Sequence, residues 1–160
     1  MPYSQRTHGV LLRRLIEHLD GAVEQAYVDA GLDYRPRFTP ILRALLNDGP
    51  ASLRTLSALT GVTHSAVSQT VSQMAARDWV SLEPGKDARE RIVTLTAFAH
   101  AQLPALRRCW AATAAASEGL DADIGQPLAD VLGRALEALD QQPFSARLAE
   151  ASTALSGADQ

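Results

Sequence analysis

The sequence predicts a mainly α-helical protein with a small β-hairpin wing: a winged helix-turn-helix whose N- and C-terminal helices form a dimerisation platform. Three observations predict it. Two short apolar-periodic segments meet at the glycine turn Thr60-Gly61-Val62. The helical period then gives way to two alternating runs, Val80-Ser81-Leu82-Glu83 and Arg89 to Leu95, separated by Pro84-Gly85-Lys86-Asp87. Long helical stripes flank this unit on both sides.

The elements follow in order. From Thr7 to Ala30 the residues Leu11, Leu15, Leu19, Ala22, Val23 and Ala26 recur at helical spacing, giving an amphipathic helix that Gly31 ends. Its length is ~35 Å at ~1.5 Å per residue. Tyr34 to Phe38 is a connector, because Pro36 lacks a donor and biases Arg35 away from helix. Thr39-Pro40 reads as an N-cap and first helical residue for a short helix from Ile41 to Leu46. Ser52 can cap the next helix, with Leu53, Leu56 and Leu59 on its apolar side. Thr63 can cap the one after, which runs to about Arg77 with Val67, Val71 and Met74 facing inward. Beyond the hairpin, an alanine-rich helix is expected from Thr96 to about Glu118, bent at Pro104. A joint at 119–123 leads to a helix marked by Ile124, Leu128, Val131, Leu132, Ala135, Leu136 and Leu139. Pro143 breaks that helix, and Phe144, Leu148, Ala151 and Leu155 continue an apolar edge. These readings divide the chain into a dimerisation helix and connector (1–37), a winged lobe (38–98) and C-terminal dimerisation helices (99–160).

Composition sets bounds on function. The net charge of −3 counts against a nucleic-acid binder until its distribution is read. Residues 1–49 hold six basic and six acidic side chains, 50–95 five against four, and 96–160 four against eight. The acidity therefore sits away from the helix-turn-helix. No run is apolar enough to span a membrane and the N-terminus lacks a secretory block, so a cytoplasmic protein is expected. With only Cys109, no intramolecular disulfide or multi-cysteine metal cage can form, and its apolar helix argues for a buried, inert thiol rather than a redox sensor. His8, His18, His64 and His100 show no paired ligand spacing, and no cofactor is expected. No phosphate-cradling glycine loop or nucleophile–base pair is evident, so an enzyme is not expected.

The second helix of such a motif can enter the DNA major groove and read base edges with its exposed N-terminal residues. Here that side carries Thr63, His64, Ser65, Ser68, Gln69, Ser72 and Gln73, polar and without charge repulsion. Lys86, Arg89 and Arg91 lie at or beside the hairpin tip, placed for phosphates or a narrow minor groove. Asp87 can hold the Arg89 guanidinium through a charge-assisted fork. A solvated helix face and a surface ion pair are the plainer readings of each feature taken alone.

Residues Leu59-Thr60-Gly61-Val62-Thr63-His64-Ser65-Ala66-Val67-Ser68-Gln69, Val80-Ser81-Leu82-Glu83, Asp87-Ala88-Arg89 and Leu95-Thr96 together resemble the MarR (multiple antibiotic resistance regulator) family over roughly residues 38–100. The resemblance implies an obligate dimer with interlocked terminal helices and two DNA-reading lobes. It also implies Ser65, Ser68 and Gln69 in the major groove and Arg89 in the minor groove. Asp78 stands where the family often ends its recognition helix with glycine, and Ala99 where a glycine often follows Leu-Thr. The implied function is a repressor binding double-stranded DNA at a pseudo-palindromic operator. Its release by a small aromatic or phenolic effector would involve His18, Tyr34, Arg37 and Phe38, near the junction of the first helix and the lobe. The competing reading is a winged-helix protein-interaction module that does not touch DNA.

Overall fold

The computed structural model of the chain describes residues 7–85 and 90–158. The predicted wing residues Lys86, Asp87 and Arg89 lie outside them. Helix α1 (His8–Asp29) is followed by a short 3-10 turn (Pro36–Phe38), α2 (Thr39–Asp48), β1 (Ala51–Ser52), α3 (Leu53–Thr60) and α4 (His64–Ala75). Strands β2 (Val80–Pro84) and β3 (Arg91–Leu95) then lead to α5 (Ala97–Ile124), α6 (Leu128–Gln141) and α7 (Phe144–Ala158). The chain divides into two compact units, one up to Thr113 and one from Ala114.

In the first unit the predicted helix-turn-helix forms for the expected reasons. The Ser52 Oγ accepts the Thr55 N–H at 3.1 Å and caps α3. Thr63 does the same for α4 through the Ala66 N–H at 3.4 Å. Each cap satisfies one of the N–H groups that a helix start leaves without a partner. Between them Gly61 has φ +67°, a left-handed conformation that side chains with a Cβ rarely adopt. Leu56, Val67, Val71 and Met74 point from these two helices into one core and are fully buried.

The expected hairpin is present, with Val80 paired to Leu95 and Pro84 to Arg91. The sequence reading missed β1, which pairs antiparallel with β3 through Ala51↔Val93 and Ser52↔Ile92. The sheet therefore has the order β1-β3-β2, and β3 is its central strand. A two-residue strand is too short to show alternation, so no period could have revealed it.

An aromatic chain fastens α1 to this lobe. Tyr34 meets Tyr27, Phe38 and Trp79 edge-on, with centroids 4.8–5.5 Å apart. Trp79 continues to Phe98 at the start of α5. Such contacts contribute about 0.5–1.5 kcal/mol each beyond area burial. The Trp79 indole N–H donates to the Asp33 carbonyl at 2.9 Å, so its polar edge is satisfied inside the core.

Three boundaries differ from the sequence reading. The connector is not irregular throughout. Arg35 is extended as expected, but the Phe38 N–H already bonds the Arg35 carbonyl, so helical bonding begins before Thr39. Thr39 lies inside the helix, and its hydroxyl accepts from Tyr34 at 3.3 Å instead of capping. Helix α4 ends at Ala75, where the Asp78 N–H bonds the Ala75 carbonyl and the Trp79 N–H bonds the Met74 carbonyl, both at 3.0 Å. That is a Schellman closure, and Asp78 takes its left-handed position with φ +59°. The Thr96 hydroxyl donates to the Asp78 carbonyl and accepts the Ala99 N–H. Ala99 is fully buried.

The third difference lies in the second unit. The expected joint at 119–123 is helical, and α5 continues to Ile124. Gly119 tolerates the helix, whereas Gly125, with φ +77°, makes the break. Ile124 thus belongs to α5 rather than to the next helix. The Asp121 carboxylate accepts the Leu128 N–H at 2.9 Å, so the last turn of α5 caps α6. No residue from Ala114 to Ser156 is buried.

Candidate nucleic-acid interface

Helix α4 presents two opposite faces. Val67, Val71 and Met74 anchor one in the core, while His64, Ser65, Gln69 and Ser72 are exposed on the other with Thr63 before them. Ser68 and Gln73 are half-buried at its margins. The helix carries no Asp, Glu, Lys or Arg from His64 to Ala75, so it brings no negative charge toward a polyanion. The Ser72 hydroxyl donates to the Ser68 carbonyl at 2.9 Å, leaving its lone pairs outward. The Gln69 amide has no hydrogen-bond partner among the described residues, so its donor and acceptor edges are both available.

The wing stalk rises beside this motif, held by β1 on one side and closed above by the Gly85 N–H to Glu90 carbonyl bond at 2.8 Å. Arg91 is exposed on β3 below the tip. The structure thus describes Arg91 from the predicted wing set, while Lys86, Asp87 and Arg89 fall outside the described residues.

Of the four residues assigned to an effector site, Tyr34 and Phe38 meet ring to ring inside the core, whereas His18 and Arg37 are exposed. Tyr34 and Phe38 are 1% and 0% exposed and pack in the aromatic core. Burial pushes the Tyr34 hydroxyl far above its ordinary pKa, with the Thr39 hydrogen bond and the Arg43 charge opposing more weakly. His18 is exposed on α1. Arg37 is exposed on the 3-10 turn and donates through Nη2 to the Gln73 Oε1 on α4. A bond across this distance in sequence was not legible from spacing.

An open groove of about 430 Å³ lies between α2 and α5, lined by Arg43, Leu46, Asn47, Arg107 and Trp110. The Arg43 guanidinium sits over the Trp110 ring at 4.6 Å. The Trp110 indole N–H is buried without a hydrogen-bond partner. The sequence reading missed these residues. Their signal was faint: Arg43 and Asn47 at i, i+4 on one helix, Arg107 and Trp110 at i, i+3 on another, each putting polar chemistry beside an apolar stripe. Among the described residues no group of three or more His, Cys, Asp or Glu could hold a metal ion, and no helix is long and apolar enough to cross a membrane. Cys109 is buried, with its Sγ 3.8 Å from the Ala26 carbonyl.

Residues 36–90 match the MarR family. The match runs from the 3-10 turn through β2. The fold is similar to that of regulators of known structure. The M. tuberculosis transcriptional regulator MOSR, solved in complex with DNA, is 21% identical with a TM-score of 0.66; the match covers 89% of this chain and 99% of that one. BpsR of Bordetella bronchiseptica, whose DNA binding is regulated by 6-hydroxynicotinic acid, is 24% identical with a TM-score of 0.54 over 71% and 84%. A MarR transcriptional regulator from Methanosarcina mazei Go1 is 14% identical with a TM-score of 0.57 over 86% and 89%. At these identities the likeness is one of fold. No curated protein matches the chain.

Proposed function

We propose that this protein is a sequence-specific repressor of the MarR family that binds a pseudo-palindromic operator as a homodimer. The observation that carries the reading is the uncharged outer face of α4, anchored from behind by Val67, Val71 and Met74 and flanked by the wing stalk. A helix so held can enter the major groove, and an unengaged Gln69 amide can pair bidentately with adenine. Apolar side chains left uncovered support the dimer: Leu11, Leu12, Ile16 and Leu19 on α1, Leu132, Leu136 and Leu139 on α6, and Phe144, Leu148 and Leu155 on α7. Patches of this kind call for a partner, and a twofold copy is the commonest solution.

The effector belongs in the α2–α5 groove rather than among His18, Tyr34, Arg37 and Phe38. Two guanidinium groups suit a small aromatic carboxylate. Regulation of BpsR by an aromatic acid is in keeping with this chemistry.

Selection of bound duplexes from a random pool tests the function. A twofold-related consensus is expected, with affinity falling steeply as salt rises because phosphate contacts release counterions. Gln69→Ala should change preference at one or two positions per half-site, costing about 1–3 kcal/mol there. Loss of affinity on Arg89→Ala should instead be spread across sequences. Retention that is indifferent to salt and to both substitutions would favour a protein-interaction module.

A further inference from the structure

We infer that Arg37 and Gln73 act as one donor-only reading unit at the far end of the recognition face, opposed to the adenine-competent Gln69. The inference rests on the DNA-binding reading and goes beyond it by assigning what this end of the face recognises.

The two glutamines of α4 lie four residues apart, one helical turn, so they point to the same side. Their amides are in different states. Gln69 keeps both edges available, whereas the Gln73 Oε1 accepts from the Arg37 guanidinium. Reading adenine requires a glutamine to donate to N7 while accepting from the N6 amino group. At Gln73 the acceptor is engaged, and its remaining lone pair lies beside a cation that repels an incoming N–H donor. What Gln73 and Arg37 still offer outward is N–H donors only: the Gln73 Nε2 group and the rest of the guanidinium fork. Such a unit fits an acceptor-only edge. Two parts of a duplex supply one: guanine O6 and N7, and the phosphate oxygens.

The fold holds the unit in place. Arg37 sits between Pro36 and Phe38 on the 3-10 turn, and Phe38 is fully buried, so the guanidinium projects from a fixed base. From the other side, the Arg77 Nη1 donates to the Gln73 carbonyl at 3.2 Å and its Nε to the Asp33 carboxylate at 3.1 Å. The end of α4 and the connector are thereby tied together, and a long flexible side chain is pre-ordered before DNA arrives. Arg37 thus belongs to the reading face rather than to an effector site.

The test compares full-length wild type, Arg37→Ala and Arg37→Lys on a pool-selected duplex and on variants substituted at each half-site position, across a salt series. Thermal unfolding of each variant checks that the fold is unchanged, as expected for an exposed side chain. If the edge is guanine, Arg37→Ala releases the Gln73 amide, and the preference for guanine over adenine at one position per half-site falls about tenfold or reverses. If the edge is phosphate, Arg37→Ala weakens all sequences alike and lowers the salt slope by about one per half-site contact, while Arg37→Lys restores the slope. Either result supports the donor-only unit. Unchanged preference together with unchanged slope, in a wild type that binds its duplex, overturns this assignment alone. A wild type that selects no sequence overturns the DNA reading and this inference with it.

Discussion

The lobe up to Thr113 and the helices after it use similar proportions of leucine, yet they bury their apolar side chains differently. In the lobe, side chains from α1, the connector, α2 to α5 and the sheet close around Trp79, Tyr34, Phe38, Leu42 and Leu56, each 1% exposed or less. In the later helices Leu136 is 63% exposed, Phe144 66% and Leu155 71%. The first region is stable through its own contacts. The second is amphipathic without an inside, and its apolar side chains are left exposed.

Three substitutions break or sharpen that contrast. The largest effect is expected for Trp79→Ala, which removes three contacts at once: the rings of Tyr34 and Phe98 and the hydrogen bond to Asp33. A loss of about 3–5 kcal/mol is expected in denaturant unfolding. A loss below about 1 kcal/mol would show that the lobe core is not the stabilising centre described. Tyr34→Phe has a smaller effect, about 1 kcal/mol at neutral pH, from loss of the Thr39 hydrogen bond. Its pH dependence is more telling. The folded protein holds the Tyr34 hydroxyl above its ordinary pKa of 10.0, so the stability tied to the neutral hydroxyl is intact below that pH and declines as pH rises past it. Tyr34→Phe should flatten this alkaline decline in Tm, and an identical decline in both proteins would contradict the burial argument. The smallest effect on folding is expected for Leu136→Gln on α6, within about 0.5 kcal/mol for a surface position. The same substitution should weaken self-association in sedimentation if a second copy covers that face. A mass unchanged from wild type at every concentration would remove Leu136 from the interface.

Much of the lobe was legible because its signals are local. Ser52 and Thr63 announce helix starts and Gly61 the sharp corner, each readable from one or two neighbours. The faces of α4 follow from its apolar period. What escaped the sequence depended on pairing across distance. Strand β1 exists only because β3 lies beside it, and Arg37 meets Gln73 only because the 3-10 turn packs against α4. Tyr34 and Phe38 illustrate the same limit: an aromatic beside a connector reads equally well as pocket lining or as core, and tertiary packing decides. At Gly119 the error had a different origin. Glycine weakens a helix without forbidding it, and the chain spends its left-handed turn at Gly125.

Ser52 ends β1 opposite Ile92 and also caps α3, so no residue intervenes between the wing's sheet and the helix-turn-helix. A displacement of the hairpin by a duplex is therefore delivered to the first turn of α3 with no slack to absorb it. Anyone grafting a foreign recognition helix into this protein should keep residues 51–52 with the hairpin, since splitting them would uncouple grip from reading.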